Sequence, residues 1–319
     1  MVPRRGVWLL VVCALKVASA EDFDEEDFGL EGEGSSEYGY GGGGGYGGGD
    51  EDEYGGDPSP AFEVVEDLEA LEAFVAQDEL EPAVVGFFDP DRDAAAMATF
   101  QEVAEKDRYD FRFALTTDEE VRTGMKYAKS AVVSVYLPPR FVSPKYDKPK
   151  ARYPSSKLDA DALTKFVYKK SLPLVGQKTW KSGDRYDKAG VPILTLFASI
   201  DLEKNPKGFD YFANRLRKVA ADYVGKMVFN IGDKDDFSYS LADYDLALET
   251  KKDIGVGVKH GDKHYKMTDK FNVDNVRAFV EAVLAGELTP KIKVANTDYD
   301  DDDEDEEGSS SDSGGGPMY

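Results

Sequence analysis

Cysteine is nearly absent from this chain of 319 residues. The single cysteine, Cys13, lies within the first twenty residues. Residues 14–319 therefore have no thiol that forms a disulfide, attacks a substrate or exchanges with another disulfide. This excludes thiol redox chemistry for that part of the chain.

Long apolar runs are also absent after residue 20. Residues 1–20 combine two arginines, an apolar stretch at residues 7–15 and small residues at 18–20, a layout typical of a cleaved signal peptide. No later segment reaches the length of about eighteen apolar residues that a membrane-spanning helix needs. We therefore predict a mature chain that begins near Glu21, has no membrane span and enters the secretory pathway.

Basic residues are missing from both ends of the chain beyond residue 20. Residues 21–59 hold 14 acidic residues and residues 298–319 hold 10, and neither segment has a lysine or arginine. Residues 60–297 between them carry a net charge of only −3. Because such tails lack the apolar surface that offsets chain entropy, we predict that residues 21–59, a tail rich in Gly and Tyr, and residues 294–319 are disordered.

Between the tails, the apolar pattern alternates between strands and helices, and it does so twice. Residues 82–88 are typical of a buried strand, an amphipathic helix follows, and residues 111–115 alternate as a second strand. Residues 192–197 repeat the strand, residues 209–223 the helix and residues 227–231 the next strand. With the segments that follow each half, the order β-α-β-α-β-α-β-β-α is predicted twice, as an internal duplication.

This order is that of the thioredoxin fold, and two segments extend the likeness to sequence. PILTLFASIDLEKNPKGFDYFANRLRKVAADYVGKMVF resembles the second non-catalytic domain, b′, of the protein disulfide isomerases, and AVVGFFDPDRDAAAMATFQEVAEKDRYDFRFALTTDEEV resembles the first, b. The resemblance is greatest to the glycoprotein-specific isomerase that works with calnexin and calreticulin. It implies an α/β fold of two tandem thioredoxin-like domains, residues 60–171 and residues 172–293, flanked by disordered acidic tails.

The catalytic features of that family are missing. Its catalytic domains place a Cys-x-x-Cys pair just after the second strand, where a helix N-terminus lowers the pKa of the first thiol. Here the corresponding positions read DPDR at residues 89–92 and SID at residues 199–201, and the family's cis-proline before the fourth strand is also absent. The resemblance therefore implies no catalytic residue, no enzyme activity and no cofactor.

Lysines surround the predicted fourth and fifth strands of the second domain. They are Lys226, Lys251, Lys252, Lys259, Lys263, Lys266 and Lys270. The matching region of the family receives the acidic arm of a lectin-type chaperone, so the resemblance implies a protein partner for these lysines. The alternative is that they only keep the surface soluble, because lysine is usually exposed.

Two clusters have ligand-like spacing without a complete ligand set. Asp89, Asp91 and Asp93 have the spacing of a calcium loop but lack its glycine and its bidentate glutamate, so we predict a solvated helix start. His260 and His264 flank a predicted hairpin turn, but neighbouring lysines repel a cation and a zinc site needs further ligands. An exposed hairpin is predicted there. No phosphate-binding glycine loop follows a strand, and the polyanionic tails disfavour nucleic acid.

The acidic run at residues 298–307 is the remaining candidate metal site. Its nine carboxylates belong to Asp298, Asp300, Asp301, Asp302, Asp303, Glu304, Asp305, Glu306 and Glu307. A flexible run cannot hold six to eight oxygens in a fixed shell, so we expect many weak calcium sites with dissociation constants on the order of 10⁻⁴ to 10⁻³ M. Simple solubilisation is the alternative.

Two functional hypotheses remain open. The first is a redox-inactive chaperone or adaptor of the secretory pathway that binds protein clients or lectin-type chaperones and holds calcium weakly on its tails. The second is a secreted acidic calcium-binding matrix or storage protein. The folded domains favour the first, and with it the lumen of the endoplasmic reticulum. The absence of a Lys-Asp-Glu-Leu type ending favours the second.

Overall fold

Buried runs of apolar residues form the central strands of two β-sheets in the computed structural model, which describes residues 60–293. All five residues of the strand Ala83–Phe87 and all six of the strand Ile193–Ala198 are buried. A strand with two buried faces needs helices on both sides of its sheet. The two sheets follow each other along the chain, each with its own helices. We call the first sheet with its helices the first unit and the second sheet with its helices the second unit.

The first sheet has five strands in the order β1-β3-β2-β4-β5. The strands are β1 (Glu63–Val64), β2 (Ala83–Phe87), β3 (Arg112–Thr116), β4 (Val132–Tyr136) and β5 (Lys150–Arg152). The helices are α1 (Leu68–Ala76), α2 (Ala94–Lys106), α3 (Glu119–Gly124) and α4 (Ala160–Lys170). Strands β1, β3 and β2 are parallel, whereas β4 is antiparallel to β2 and β5.

The second sheet has six strands in the order β11-β10-β9-β7-β8-β6. The strands are β6 (Val175–Lys178), β7 (Ile193–Ala198), β8 (Val228–Asp233), β9 (Gly255–His260), β10 (Lys263–Lys266) and β11 (Lys291–Ile292). The helices are α5 (Trp180–Asp187), α6 (Pro206–Ala220), α7 (Ser238–Leu241) and α8 (Val273–Ala285). Strand β11 extends the sheet beyond β10, an addition that the sequence pattern did not predict.

The two faces of the second sheet are covered unequally. Helices α6 and α8 pack on one face over a large apolar core that includes Leu196, Phe209 and Val280. On the other face the buried apolar cluster consists of only four side chains, Phe197, Phe237, Leu241 and Tyr244. The short helices α5 and α7 therefore leave part of this second face open.

The predicted fold class and element order are confirmed. Each half of the described region runs β-α-β-α-β-α-β-β-α, with β11 added after the second. Asp159, the N-cap of α4, accepts a hydrogen bond from the backbone N–H of Ala162. Helix α8 ends at Gly286, whose φ of 72° lies in the left-handed region that favours glycine. Within residues 60–293, no helix is long and apolar enough to cross a membrane. The predicted signal peptide and both predicted tails lie outside the described residues.

Candidate functional site

An open groove lies on the thinly covered face of the second sheet. It has a volume of about 490 Å³ and is bordered by α5, the region of α7 and the β9–β10 hairpin. Most of its lining residues are of three kinds: the aromatic residues Trp180, Phe237, Tyr239 and Tyr244, the basic residues Lys178, Lys259, His264 and Lys293, and the acidic residues Asp184, Asp187, Asp243 and Asp262.

A capping box fixes the start of α5 and with it the position of Trp180. Thr179 Oγ1 accepts from the backbone N–H of Ser182 at 3.0 Å, and Ser182 Oγ accepts from the backbone N–H of Thr179 at 2.8 Å. This reciprocal pair satisfies two amide groups that a helix start otherwise leaves unpaired. Trp180 is then the first helical residue, and 68% of it remains exposed at the rim of the groove.

The aromatic wall of the groove is a stack of rings. The indole of Trp180 lies parallel to the ring of Tyr239, with an interplanar angle of 10° and centroids 5.3 Å apart. Phe237 packs against the same indole at 5.4 Å. Tyr239 is itself 57% exposed, whereas Phe237 is buried. Two large exposed aromatic surfaces therefore meet over a buried ring, an arrangement that offers an apolar side chain a preformed contact surface.

Lys178 is the cation of the groove that lacks a carboxylate partner. Lys259 bonds both oxygens of Asp187 at 2.9 Å, and Lys293 contacts Asp243 at 2.8 Å. Lys178 instead places its Nζ over the ring of Phe237, 4.7 Å from the centroid, and no described carboxylate lies within 4.0 Å of it. Burial lowers the pKa of Lys178, and the charge of Lys259 lowers it further. An incoming carboxylate would reverse that shift by supplying the missing partner.

The floor of the groove depends on a close approach of Tyr244 to β9. A Cβ atom on Gly257 would lie 2.4 Å from the Tyr244 ring, so only glycine fits at that position. Tyr244 also meets the imidazole of His264 edge to face, with centroids 4.9 Å apart. His264 is 3% exposed, and burial lowers its pKa, which favours the neutral ring. The prediction of an exposed hairpin is therefore wrong for His264, because the residue packs into the sheet face beneath the turn.

The seven predicted partner-binding lysines do not form one patch. The strand register puts Lys226, Lys259 and Lys263 at the end of the sheet where β7 begins, and Lys251, Lys252 and Lys270 at the opposite end. Lys259 lines the groove and is paired with Asp187, whereas Lys266 donates to the backbone oxygen of Asp245. Their binding to a partner stays a prediction.

The aspartates after β2 form an internally neutralised cluster. Arg92 contacts Asp93 at 2.8 Å, and Arg122 contacts Asp89 at 3.2 Å. The hydrogen bond from Arg92 is the main cause that lowers the pKa of Asp93. Among residues 60–293, no group of three or more acidic, His or Cys residues is arranged to hold a metal ion. The nine carboxylates predicted to bind calcium at residues 298–307 lie outside the described residues.

Carboxylates that accept backbone hydrogen bonds occupy the positions after β2 and β7 where the resemblance would place a Cys-x-x-Cys pair. After β2, Asp89 Oδ1 accepts from the backbone N–H groups of Asp91 and Arg92. After β7, Asp201 Oδ1 accepts from the backbone N–H groups of Glu203 and Lys204. These carboxylates cap local turns and helix starts, and neither position holds a sulfur nucleophile.

Sequence reasoning missed the groove because its parts come from separate segments. Trp180 is nearly sixty residues from Phe237 and Tyr239 along the chain, and no spacing rule joins it to them. One signal was present: Trp180 follows the helix-capping residue Thr179 within the polar segment KTWKSGD. A tryptophan among polar residues at a helix start is expected to be exposed, and exposed tryptophan is enriched at binding surfaces.

Comparisons with known proteins agree with this architecture. A family model described as a thioredoxin-like domain matches residues 88–282. The crystal structure of the bb fragment of ERp72 superimposes with a TM-score of 0.60 and 25% identity, covering 73% of this chain and 100% of the fragment.

Curated relatives include protein disulfide isomerases from several vertebrates. Protein disulfide-isomerase A4 of Bos taurus is 30% identical over 220 residues, which is 66% of this chain and 32% of that protein. The A4 protein of Mus musculus is 29% identical over 219 residues, 66% of this chain and 33% of that protein. Protein disulfide-isomerase A3 of Gallus gallus is 24% identical over 243 residues, 73% of this chain and 46% of that protein. The chain thus spans about a third of the length of the A4 proteins. The predicted resemblance to protein disulfide isomerases is confirmed.

Proposed function

Because this chain belongs to the thioredoxin-like domain family and is related to the protein disulfide isomerases, we propose that it is a redox-inactive chaperone or adaptor. Its clients are polypeptide segments that bind in the groove beside Trp180. The single observation that carries this proposal is the exposed stack of Trp180 on Tyr239 over a cavity of about 490 Å³.

The position of the only cysteine supports a binding role without thiol chemistry. The only cysteine is Cys13, and thiol exchange requires a thiolate to attack a disulfide. The loops after β2 and β7 hold carboxylates that cap local structure. This chain keeps the thioredoxin-like scaffold and its groove but lacks the thiolate nucleophile of thiol exchange. A binding role therefore explains the groove better than a catalytic one.

The chemistry of the groove indicates the kind of segment it binds. The Trp180–Tyr239 stack suits an aromatic or large aliphatic side chain, since rigid aromatic rings supply contact area at little cost in conformational entropy. Lys178 is half-buried, lies against Phe237 and has no described carboxylate partner. A client segment with an apolar side chain next to a carboxylate satisfies both features.

The acidic tails add a second proposed property, weak calcium binding. The two tails together hold 24 carboxylates with no basic residue among them. Such a run collects cations by charge density, with low affinity for each ion. In this proposal the protein works in the lumen of the endoplasmic reticulum with client proteins or lectin-type chaperones. A secreted matrix or storage protein would use the tails alone and has no role for the groove.

A binding measurement with groove variants tests the proposal. The probe is a fluorescently labelled, permanently unfolded polypeptide, and its anisotropy is followed as the protein is added. Replacing both Trp180 and Tyr239 with Ala is expected to weaken binding about tenfold or more, since removing a central aromatic contact costs ~1–2 kcal/mol. Tyr109→Ala is the matched control, because Tyr109 is 70% exposed in the first unit. Equal affinity of the double variant and the natural chain would overturn the proposal.

A further inference from the structure

The two sheets share one strand topology, but only the second has a covered edge at the end of its last hairpin. Beginning at β1 and at β6, the strand orders are β1-β3-β2-β4-β5 and β6-β8-β7-β9-β10-β11. Strand β5 of the first sheet therefore corresponds to β10 of the second. The outer side of β10 pairs with the antiparallel strand β11, whereas the outer side of β5 pairs with no strand of residues 60–293. The second unit thus contains an added strand at the edge that is open in the first.

The open edge of β5 presents backbone groups of Lys150 and Arg152. Tyr153 donates its backbone N–H to the oxygen of Val133 at 2.8 Å, so residue 153 directs its amide toward β4. Backbone groups alternate in direction along an antiparallel strand. Those of residues 150 and 152 therefore point away from β4, toward the open edge.

The corresponding backbone groups of β10 are the ones that bond β11. The strand registers make His264 the counterpart of Lys150, and they pair His264 with Lys291 of β11. Lys293, two residues after Lys291, donates its backbone N–H to the oxygen of Asp262 at 2.9 Å. The same alternation makes His264 and Lys291 a hydrogen-bonded pair. An extended segment beside β5 therefore finds free donors and acceptors at the positions that hold β11 in the second unit.

The side chains near the two edges carry opposite charges. In the second unit, Lys291 of the added strand donates to the carboxylate of Asp245, a residue with φ of 55° that lies between α7 and β9. In the first unit, the residue in the left-handed region between α3 and β4 is Lys126, with φ of 63°. A basic strand meets an acidic residue in the second unit, so charge complementarity calls for an acidic strand in the first.

Five exposed cations lie on β5, just before it or next to Tyr127, and we call them the basic edge. They are Lys126, Lys129, Lys148, Lys150 and Arg152. Arg152 and Lys150 contact the ring of Tyr127, at 5.4 Å and 5.8 Å from its centroid. None of the five cations lies within 4.0 Å of a carboxylate in residues 60–293. Like charges without a counter-charge repel one another and favour an anionic ligand.

The alternation of β5 indicates the sequence pattern of its ligand. Lys150 and Arg152 are two residues apart and project to one face of the sheet, whereas Ala151 and Tyr153 project to the other. A segment paired with β5 has the same alternation. Carboxylates at every second residue of such a segment lie beside Lys150 and Arg152, and apolar side chains between them lie on the face of Ala151 and Tyr153.

We propose that β5 binds an extended acidic segment of a partner protein as an added antiparallel strand. The segment takes the position that β11 has in the second unit, and its alternate carboxylates pair with Lys150 and Arg152. Backbone hydrogen bonds provide the pairing, and the two cations select the acidic pattern. A second copy of this chain is a poorer occupant of the edge, because two β5 strands carry charges of the same sign.

Peptides of one composition test this pairing with the full chain. The probe is a labelled peptide in which glutamate and valine alternate, and the comparison peptide has its glutamates in one block. Anisotropy at about 0.15 M salt should show at least about fivefold tighter binding of the alternating peptide, because only its carboxylates share one face. N-methylation of its glutamates should weaken binding about tenfold, since these residues direct their N–H groups at β5 in the proposed register. N-methylation of its valines should have little effect.

Charge reversal and cross-linking locate the bound peptide. Lys150→Glu with Arg152→Glu should weaken binding about tenfold or more, and the matched reversal Lys251→Glu with Lys252→Glu should not. Carbodiimide cross-links from the peptide should form to Lys150. Cross-links mainly to Lys178 of the groove would overturn the proposal, and so would cross-links from Lys150 to the same chain or to a second copy that the peptide does not displace.

The simplest alternative is that the lysines only protect an edge strand from unwanted pairing. In that case the peptide binds through charge alone. Equal affinities of the alternating and block peptides, or an affinity that N-methylation of the glutamates leaves unchanged, would therefore overturn the proposal.

Discussion

The ring of Phe141, which follows β4 of the first sheet, packs against the ring of Phe209 on α6 under the second sheet, with centroids 5.3 Å apart. Phe141 is 4% exposed and belongs to the apolar core of the second unit. Its backbone oxygen accepts from Arg217 Nη2 at 2.9 Å, and the preceding Arg140 contacts Asp210 at 2.9 Å. One short turn of the first unit therefore completes the core of the second.

Replacing Phe141 with Ala should destabilise the second unit selectively. Loss of a buried phenylalanine ring costs about 3–5 kcal/mol, and the lost contacts lie in the core beneath α6. Chemical denaturation should then show two transitions, with the second unit unfolding first. Val142→Ala, the half-buried neighbouring residue, serves as a control with a much smaller effect. A single transition with an unchanged midpoint in Phe141→Ala would contradict this role.

A buried carboxylate should make stability depend on pH. Asp107 is 6% exposed and accepts hydrogen bonds from Thr164 and Tyr168 at 3.3 Å. Burial raises its pKa above the ordinary value, so its contribution to stability is present at low pH and is lost as pH rises through the folded-state pKa. Asp107 also caps the C-terminal end of α2, where a negative charge is unfavourable.

Asp107→Asn should therefore stabilise the protein at neutral pH. The helix-end charge alone contributes about 0.3–1 kcal/mol, and the amide keeps an oxygen that accepts from Thr164 and Tyr168. Denaturation at a series of pH values checks this. The gain should shrink as pH falls toward the ordinary Asp pKa of ~4. A gain that is independent of pH, or a loss at pH 7, would rule out the electrostatic explanation.

The fold was predictable from sequence because local patterns specify it. The apolar runs before Phe88 and Phe197 give buried strands, and the cap residue Asp159 marks a helix start that the structure reproduces. Strand β11 was missed because two residues, Lys291 and Ile292, carry no periodicity. Its position depends on pairing with β10, a contact that no local signal encodes.

The candidate site was much less predictable. The groove combines Lys178 and Trp180 from one segment with Phe237 and Tyr239 from another, and only the folded sheet brings them together. The predicted lysines were chosen for their nearness in sequence, whereas the alternation of β9 and β10 puts Lys259 and Lys263 on opposite faces of the sheet. Lys259 lies opposite His264 across the hairpin, so Lys263, one position before His264, points to the other face.

A protein that starts at Glu21 should have no disulfide reductase activity. It lacks any cysteine after Cys13, so it cannot form the mixed disulfide through which exchange proceeds. Insulin reduction in the presence of a thiol reductant measures this, with an active isomerase run in parallel. Insulin reduction faster than with the reductant alone would contradict this prediction.

Calcium should bind to the chain in many weak, salt-sensitive events. Residues 298–307 hold nine carboxylates, and ions held by charge density are displaced as salt screens the field. Calorimetry should show that deletion of residues 298–319 removes a large share of the bound calcium and leaves the thermal unfolding of the domains unchanged. Equal stoichiometry with and without the deletion, or one tight site insensitive to salt, would assign the calcium elsewhere.

The emission of Trp180 tests the client-binding role of the groove most directly. The chain has two tryptophans, Trp8 and Trp180, so a protein that starts at Glu21 reports from the groove alone. Titration with an unfolded polypeptide that lacks tryptophan should shift the emission to shorter wavelength and saturate, because the client covers an indole that is 68% exposed. The same titration followed through a label on the client gives the binding curve, and the two curves should coincide. Client binding with unchanged Trp180 emission would contradict the account and move the client site away from the groove.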